Sequence, residues 1–276
     1  MNLLECIVFG LISGLSEFLP ISSDAHGILL GRLFGTADVG SGMRLAVHLG
    51  MLFSLFLACS PQISKISRER RIAAIPLKRR KRKPDAVCLM DWRILKTAAI
   101  AIVLGFVAYP WVWDQGLRLW ILGIGLIASG IMLYIPQFFP GATKDATNVS
   151  PMDAIIIGLA GAFGVLPGIS RMGAVLSVSQ MRGCDRSYCL HLALLLSLPA
   201  LVLLCLLDIA GLIATGISGI SFLSVLGAAL AAVTAAGGSY LGIYLMRFLS
   251  VKAGYSAFAF YNWGAALFAF ILYLAI

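Results

Sequence analysis

Apolar stretches long enough to cross a lipid bilayer decide what this chain can fold into. A spanning helix needs about 20 apolar residues, and residues 94–113, 119–138, 188–207, 221–246 and 255–276 each supply such a run. A shorter run, 45–59, spans with help from its flanks. Composition agrees. Of the 276 residues 60% are apolar and 12% charged, with a mean hydropathy of +0.96. A soluble domain has about 45–50% and roughly 25%. A soluble globule and a disordered chain are therefore excluded. A transmembrane barrel would alternate over segments of roughly 10 residues, and unbroken runs appear instead. The expected class is an all-α polytopic membrane protein, one integral membrane domain over residues 1–276.

Two further apolar stretches are interrupted. Residues 3–16 stop at Glu17, are followed by Pro20, Ser22, Ser23 and His26, and resume over 27–35. Residues 153–166 stop at Pro167-Gly168-Ile169-Ser170-Arg171 and resume over 172–181. At about 1.5 Å per residue neither pair crosses twice, so each reads as a re-entrant helix–loop–helix hairpin. Irregular backbone at membrane depth is tolerated only where protein or a water-filled cavity surrounds it. The halves also share sequence. LPISS (Leu19–Ser23) resembles LPGISR (Leu166–Arg171), and HLGMLFSL (His48–Leu55) matches HLALLLSL (His191–Leu198) at five of eight positions. These matches read as an internal repeat, repeat one over 1–139 and repeat two over 151–276, joined by a polar linker from Pro140 to Pro151.

Charge sets the expected orientation. The chain carries a formal +9, and ten Lys or Arg residues fall between Lys65 and Lys83 with one acid, Glu69. In a soluble protein this would suggest nucleic acid. In a membrane chain the 61–92 stretch reads as a basic cytoplasmic loop, compatible with anionic lipid head groups, and no nucleic-acid partner is expected. With that loop inside, 17 basic residues lie inside, three outside (Arg32, Arg44 and Arg118) and Arg171 in a break. The two hairpins then enter from opposite sides. The expected architecture is two inverted repeats with six full transmembrane helices and two re-entrant hairpins, the layout in which a site sits near the midplane. The 94–113 and 119–138 spans are joined by a turn at Asp114-Gln115-Gly116. The six cysteines show no metal-ligand spacing, and no disulfide is expected.

An ionisable group inside a membrane is expensive and marks a site by default. Glu17, Ser22, Ser23, Asp24 and His26 lie within ten residues at the first break. They supply a hydroxyl nucleophile, a proton acceptor and acids that orient a base or hold a cation. The second break supplies Arg171, preceded by Ser170 and flanked by Gly168 and Gly173. A guanidinium matches phosphate oxygens with paired donors, and the helix that follows turns its first amides to the break. The combined expectation is an anion, a phosphate, gripped by Arg171 and attacked with help from Ser23, His26 and Glu17. Ser23 and His26, three residues apart, share a helix face and are expected to meet. The structural alternatives are a Glu17 that snorkels to an interface and an Arg171 that pairs with it. His48 and His191 are expected as hydrogen-bonded packing residues, and Asp208 as a solvated helix end.

The segment SGLSEFLPISSDAHGILLGRLFG (13–35) and the segment LPGISRMGA (166–174) resemble the motifs of the undecaprenyl-diphosphate phosphatase family, also called the bacitracin-resistance family. The resemblance extends to the basic stretch and to RSYCLHLALLLSLPA (186–200). It implies a hydrolase of the bacterial inner membrane that takes one phosphate from an isoprenyl diphosphate and returns the carrier to cell-wall synthesis, with the active site reached from the outer side. By the same resemblance Glu17, Ser23, His26 and Arg171 are catalytic, and Ser22, Ser170, Gly168 and Gly173 bind substrate. A divalent cation, Mg²⁺ or Ca²⁺, is implied, held by Glu17 and Asp24, and a homodimer is compatible. The sequence departs from the family pattern at Ser13, which replaces a motif glutamate, and at Asp24, Ala25, Met172 and Val175. The competing reading is a transporter or flippase that moves a phosphorylated lipid or anion without hydrolysis.

Overall fold

The protein is described here from a computed structural model over residues 1–36, 38–116, 118–139, 143–216, 221–252 and 254–275, the side chains of 113–116, 251 and 252 excepted. Among the described residues there are eleven α-helices and no β-strand. The first interrupted pair is α1 (Leu3–Phe18) and α2 (Ser23–Leu33). The second is α7 (Pro151–Ala162) and α8 (Arg171–Met181), linked by a short 3₁₀ turn, Phe163–Val165. Five helices are long and apolar enough to cross a membrane: α3 (Gly40–Ala74), α6 (Leu119–Tyr134, with its 3₁₀ extension to Phe138), α9 (Arg186–Thr215), α10 (Phe222–Lys252) and α11 (Ser256–Ala275). The chain is a polytopic helical membrane protein.

The expected span 94–113 is built differently. Helix α4 runs Ala86–Phe106, and α5 (Tyr109–Gly116) follows after a turn at Val107 and Ala108. Pro110 gives the reason, since proline fits the first turn of a helix and breaks its interior. The N-terminal half of α4 also carries Asp91, Arg93 and Lys96, which keeps it out of the five apolar spans. The expected turn at 114–116 ends α5, its side chains and Leu117 lie outside the described residues, and so do residues 140–142 of the linker.

The basic stretch is not one loop. Lys65, Arg68, Arg70 and Arg71 ride on the last turns of the 35-residue α3, and the irregular part between α3 and α4 is 75–85, with a 3₁₀ turn at Leu77–Arg79. Its one acid organises it. Glu69 is 2% exposed. Its carboxylate accepts from Arg82 Nη2 at 2.6 Å, Arg82 Nη1 at 3.0 Å and the Asp85 amide at 3.0 Å. Those bonds, Arg82 first, hold its pKa down at about 2.

Helix packing has a regular pattern. Helix α1 lies on α10, and α7 on α4; α3 lies on α10, and α9 on α4; α3 meets α9, and α6 meets α11. The closest approaches use small residues, as membrane helices do in the absence of a hydrophobic drive between them. A side chain added at Gly10 or Gly14 of α1 would run into the α10 backbone at Ala231 or Ala235. One added at Gly158 of α7 would do the same at Ala98 of α4. Ser54 of α3 donates to the Ala236 carbonyl of α10 at 2.6 Å. The main apolar core runs through α3, α4 and α9, with Leu55, Ile102 and Leu192 fully buried.

Candidate functional site

The two helix breaks meet in the interior. Pro20 ends the possibility of continuing α1, and Ser22, at φ +67°, is the one non-glycine residue with positive φ among those described. Its hydroxyl accepts from the Ala25 amide at 3.4 Å and starts α2. In the second break Gly168 adopts φ +84°, and a side chain there would collide with the backbone of Leu122 and Leu126 on α6. Ser170 caps α8, its Oγ accepting from the Gly173 amide at 3.1 Å. A Cβ added at Gly173 would come within 3.3 Å of Pro20 Cβ, so a glycine there lets the start of α8 sit against the first break.

Each break is tied down by a helix of the other half. The Ser170 amide donates to Ser129 Oγ of α6 at 3.2 Å, and Asn262 of α11 donates to the Pro20 carbonyl at 3.0 Å. Across the junction Arg171 Nη2 is ion-paired to Glu17 Oε1. Arg171 is 8% exposed, lies over the Phe106 ring at 5.5 Å, and leaves its Nε buried without a hydrogen-bond partner. A buried donor without a partner is a costly exception in a folded protein and asks for an explanation. An incoming oxyanion supplies one.

Ser23 and His26 do not meet. Ser23 Oγ donates to the Ser13 carbonyl of α1 at 3.0 Å and, with Asp24, faces a small cavity shared with Arg44 and His48. The expectation that they meet fails because α2 is packed between different neighbours, α1 at Ser23 and α11 at His26. His26 Nδ1 donates to the Ser22 carbonyl at 2.8 Å, and its Nε2 stands 2.7 Å from the Tyr261 hydroxyl of α11, the two rings stacked. With the proton fixed on Nδ1 by a carbonyl that only accepts, the neutral imidazole takes the Tyr261 hydrogen at Nε2. His26 and Tyr261 border an apolar groove of about 590 Å³ with Leu29, Leu30, Leu33 and Phe268.

Residues 6–268 match the family described as bacitracin resistance protein BacA. The chain belongs to that family. An undecaprenyl-diphosphatase of a Nocardioides species is 32% identical over 206 residues, 73% of each chain. The undecaprenyl-diphosphatase of Alteromonas mediterranea is 26% identical over 273 residues, covering 98% of this chain and 99% of its own. That of Campylobacter curvus is 29% identical over 262 residues, 95% and 96% of the two.

In this member of the BacA family the sequence reading missed a second polar cluster. Asp208 is not a solvated helix end. It is 2% exposed, accepts from Arg44 Nε at 3.1 Å and from His48 Nδ1 at 2.7 Å, and so joins α9 to α3. Arg44 also pairs with Asp38 at 2.8 Å. The signal available was three ionisable residues, Arg44 and Asp208 beside apolar runs and His48 within one, with nothing in the sequence to pair them. His191 has a matching partner, its Nε2 donating to Asp91 Oδ2 at 2.8 Å while Tyr188 donates to Oδ1 at 2.9 Å.

The residues present do not form a cage for the divalent cation the resemblance implies. Glu17 is engaged by Arg171, and it is not among the residues that line the cavity holding Asp24. Among the described residues no group of three His, Cys, Asp or Glu side chains is placed to share an ion. That cavity, about 30 Å³, has room for a water and not for a phosphate. The Ser13 hydroxyl, buried without a partner, lines it where the family motif has a glutamate.

Proposed function

We propose that this protein removes the terminal phosphate of undecaprenyl diphosphate and leaves the monophosphate, at the outer face of the bacterial inner membrane. The observation that carries the reading is Arg171. It is a buried guanidinium at the junction of two helix breaks, with one nitrogen on Glu17 and Nε unpartnered. The relatives, named as undecaprenyl-diphosphatases, supply the substrate. No observation favours carriage of the lipid without hydrolysis.

The architecture we infer is two inverted repeats, each a re-entrant hairpin followed by three spans. Exchanging α1 with α7, α3 with α9, α4 with α10 and α6 with α11 carries the main helix contacts onto one another. The same exchange relates the Ser129 and Asn262 ties to the two breaks. Both regularities support the reading, and so does the charge imbalance.

In this reading the groove of His26 and Tyr261 takes the first part of the isoprenyl tail, and the diphosphate reaches the junction from it. Arg171 and the amides at the start of α8 grip the terminal phosphate, displacing Glu17 from the guanidinium. Ser23 attacks the phosphorus from the cavity side. Its proton leaves toward Asp24 and His48, which share that cavity, and the bond to the bridging oxygen breaks on the tail side, where His26 and Tyr261 stand. An in-line displacement requires attacking and leaving oxygens on opposite sides of the phosphorus, and this reading assigns Ser23 to one side and the His26 groove to the other. Water then cleaves the phosphoserine, and Arg171 stabilises the charge in both steps. No step is assigned to a protein-held metal ion. The test is product identity. Purified protein given undecaprenyl diphosphate should release one inorganic phosphate per lipid and leave the monophosphate, read by ³¹P NMR. Unchanged diphosphate overturns the reading.

A further inference from the structure

A groove larger than that of His26 and Tyr261 lies away from this junction. It lies between α3, α4 and α9 and encloses about 710 Å³. Its walls are apolar and open to the surroundings, with Phe56, Ile100 and Leu104 each more than half exposed. Its polar lining gathers toward one end, where Ser67 and Arg70 on the last turns of α3 share the groove with Trp92, two turns into α4, and Lys96 at the middle of that helix. The Arg70 guanidinium sits 4.1 Å over the Trp92 ring. No Asp or Glu lines the groove.

The dimensions fit one leaflet. From Arg70 to Phe56 along α3 is 14 residues, about 21 Å of helix, against about 20–22 Å for one leaflet with its head-group layer. Tryptophan belongs at that boundary. Cations at the head-group level beside an apolar trough select a lipid with a negative head. We propose that this groove binds an anionic phospholipid of the leaflet that meets the basic stretch, phosphate against Arg70 and Lys96, one acyl chain along Phe56, Ile100 and Leu104.

The experiment is native mass spectrometry of the full-length protein in equimolar phosphatidylglycerol and phosphatidylcholine, with phosphate release from undecaprenyl diphosphate measured on the same samples. The wild type should retain phosphatidylglycerol several-fold over phosphatidylcholine. The double variant Arg70→Gln/Lys96→Gln should lose that preference while keeping wild-type phosphate release, since neither residue belongs to the junction. Ile100→Trp, which fills the trough and leaves both cations, should also lower retention. Equal retention of the two lipids by the wild type, or undiminished preference in the double variant, overturns the proposal. So does displacement of phosphatidylglycerol by equimolar undecaprenyl monophosphate, which would make the groove a site for the reaction's own lipid. An inactive wild type that still prefers phosphatidylglycerol would count against the phosphatase reading alone.

Discussion

Arg171 on the second helix break is ion-paired to Glu17 on the first, so a buried ion pair joins the two interrupted hairpins where Gly173 lets them pack against Pro20. Removing one partner of a buried pair leaves the other charge desolvated and costs about 3–5 kcal/mol. Glu17→Ala and Arg171→Ala should each lower thermal stability by that order, and the double variant should cost clearly less than the two together. Additive losses in a double-mutant cycle would show that the pair is not energetically coupled.

The separation of Ser23 from His26 predicts unequal roles. Ser23→Ala should reduce turnover on the order of 10³-fold or more, as loss of an attacking group does. His26→Ala, which acts on the leaving side, should be slowed less. Single-turnover rates decide it: if Ser23→Ala keeps a tenth or more of the wild-type rate while His26→Ala is inactive, Ser23 does not attack.

Glu69, on the basic last turns of α3 ten residues past its apolar run 45–59, gives a pH prediction. Arg82 and the Asp85 amide depress its pKa from 4.5 to about 2. The stabilisation it supplies is complete above the unfolded value and disappears as the pH falls from about 4.5 toward 2. Hydrogen exchange over 69–86 should therefore rise in the wild type through that window, while Glu69→Gln shows the raised exchange already at pH 7. An identical profile in the two proteins would contradict the role of the carboxylate.

All six native cysteines are buried, so an introduced thiol reports alone. With Trp111, 73% exposed, changed to Cys, a membrane-impermeant maleimide should label intact cells. With Lys81 changed to Cys, labelling should require broken cells. The reverse pattern would invert the orientation on which the outward-facing site depends.

Much of this was legible in the sequence because membranes impose long apolar runs, and departures from them stand out. The breaks at Glu17–Ser22 and Pro167–Ser170, and the spans of α6, α9, α10 and α11, follow from that alone. Pro110 was legible too, and it splits the expected 94–113 span for the reason proline always does. Other features depend on which helix lies beside which. His26 shares a helix face with Ser23 by spacing, but α11 supplies Tyr261 on one side and α1 supplies the Ser13 carbonyl on the other. Asp208 reads as a helix end until α9 is laid against α3, where Arg44 and His48 wait for it. The Asp208 pairings span 164 and 160 residues and that of His26 with Tyr261 spans 235, and no local pattern encodes them.

The central claim is that a guanidinium fork at the junction of the two breaks grips the phosphate that is removed. It is tested by the rate of phosphate release from undecaprenyl diphosphate in wild type and Arg171→Lys. Lysine keeps the charge and loses the paired donors. One or two charged hydrogen bonds lost predict a fall in kcat/KM of about 10–100-fold in a variant that still folds. Wild-type kinetics in Arg171→Lys, or a folded wild type that releases no phosphate, would contradict the account.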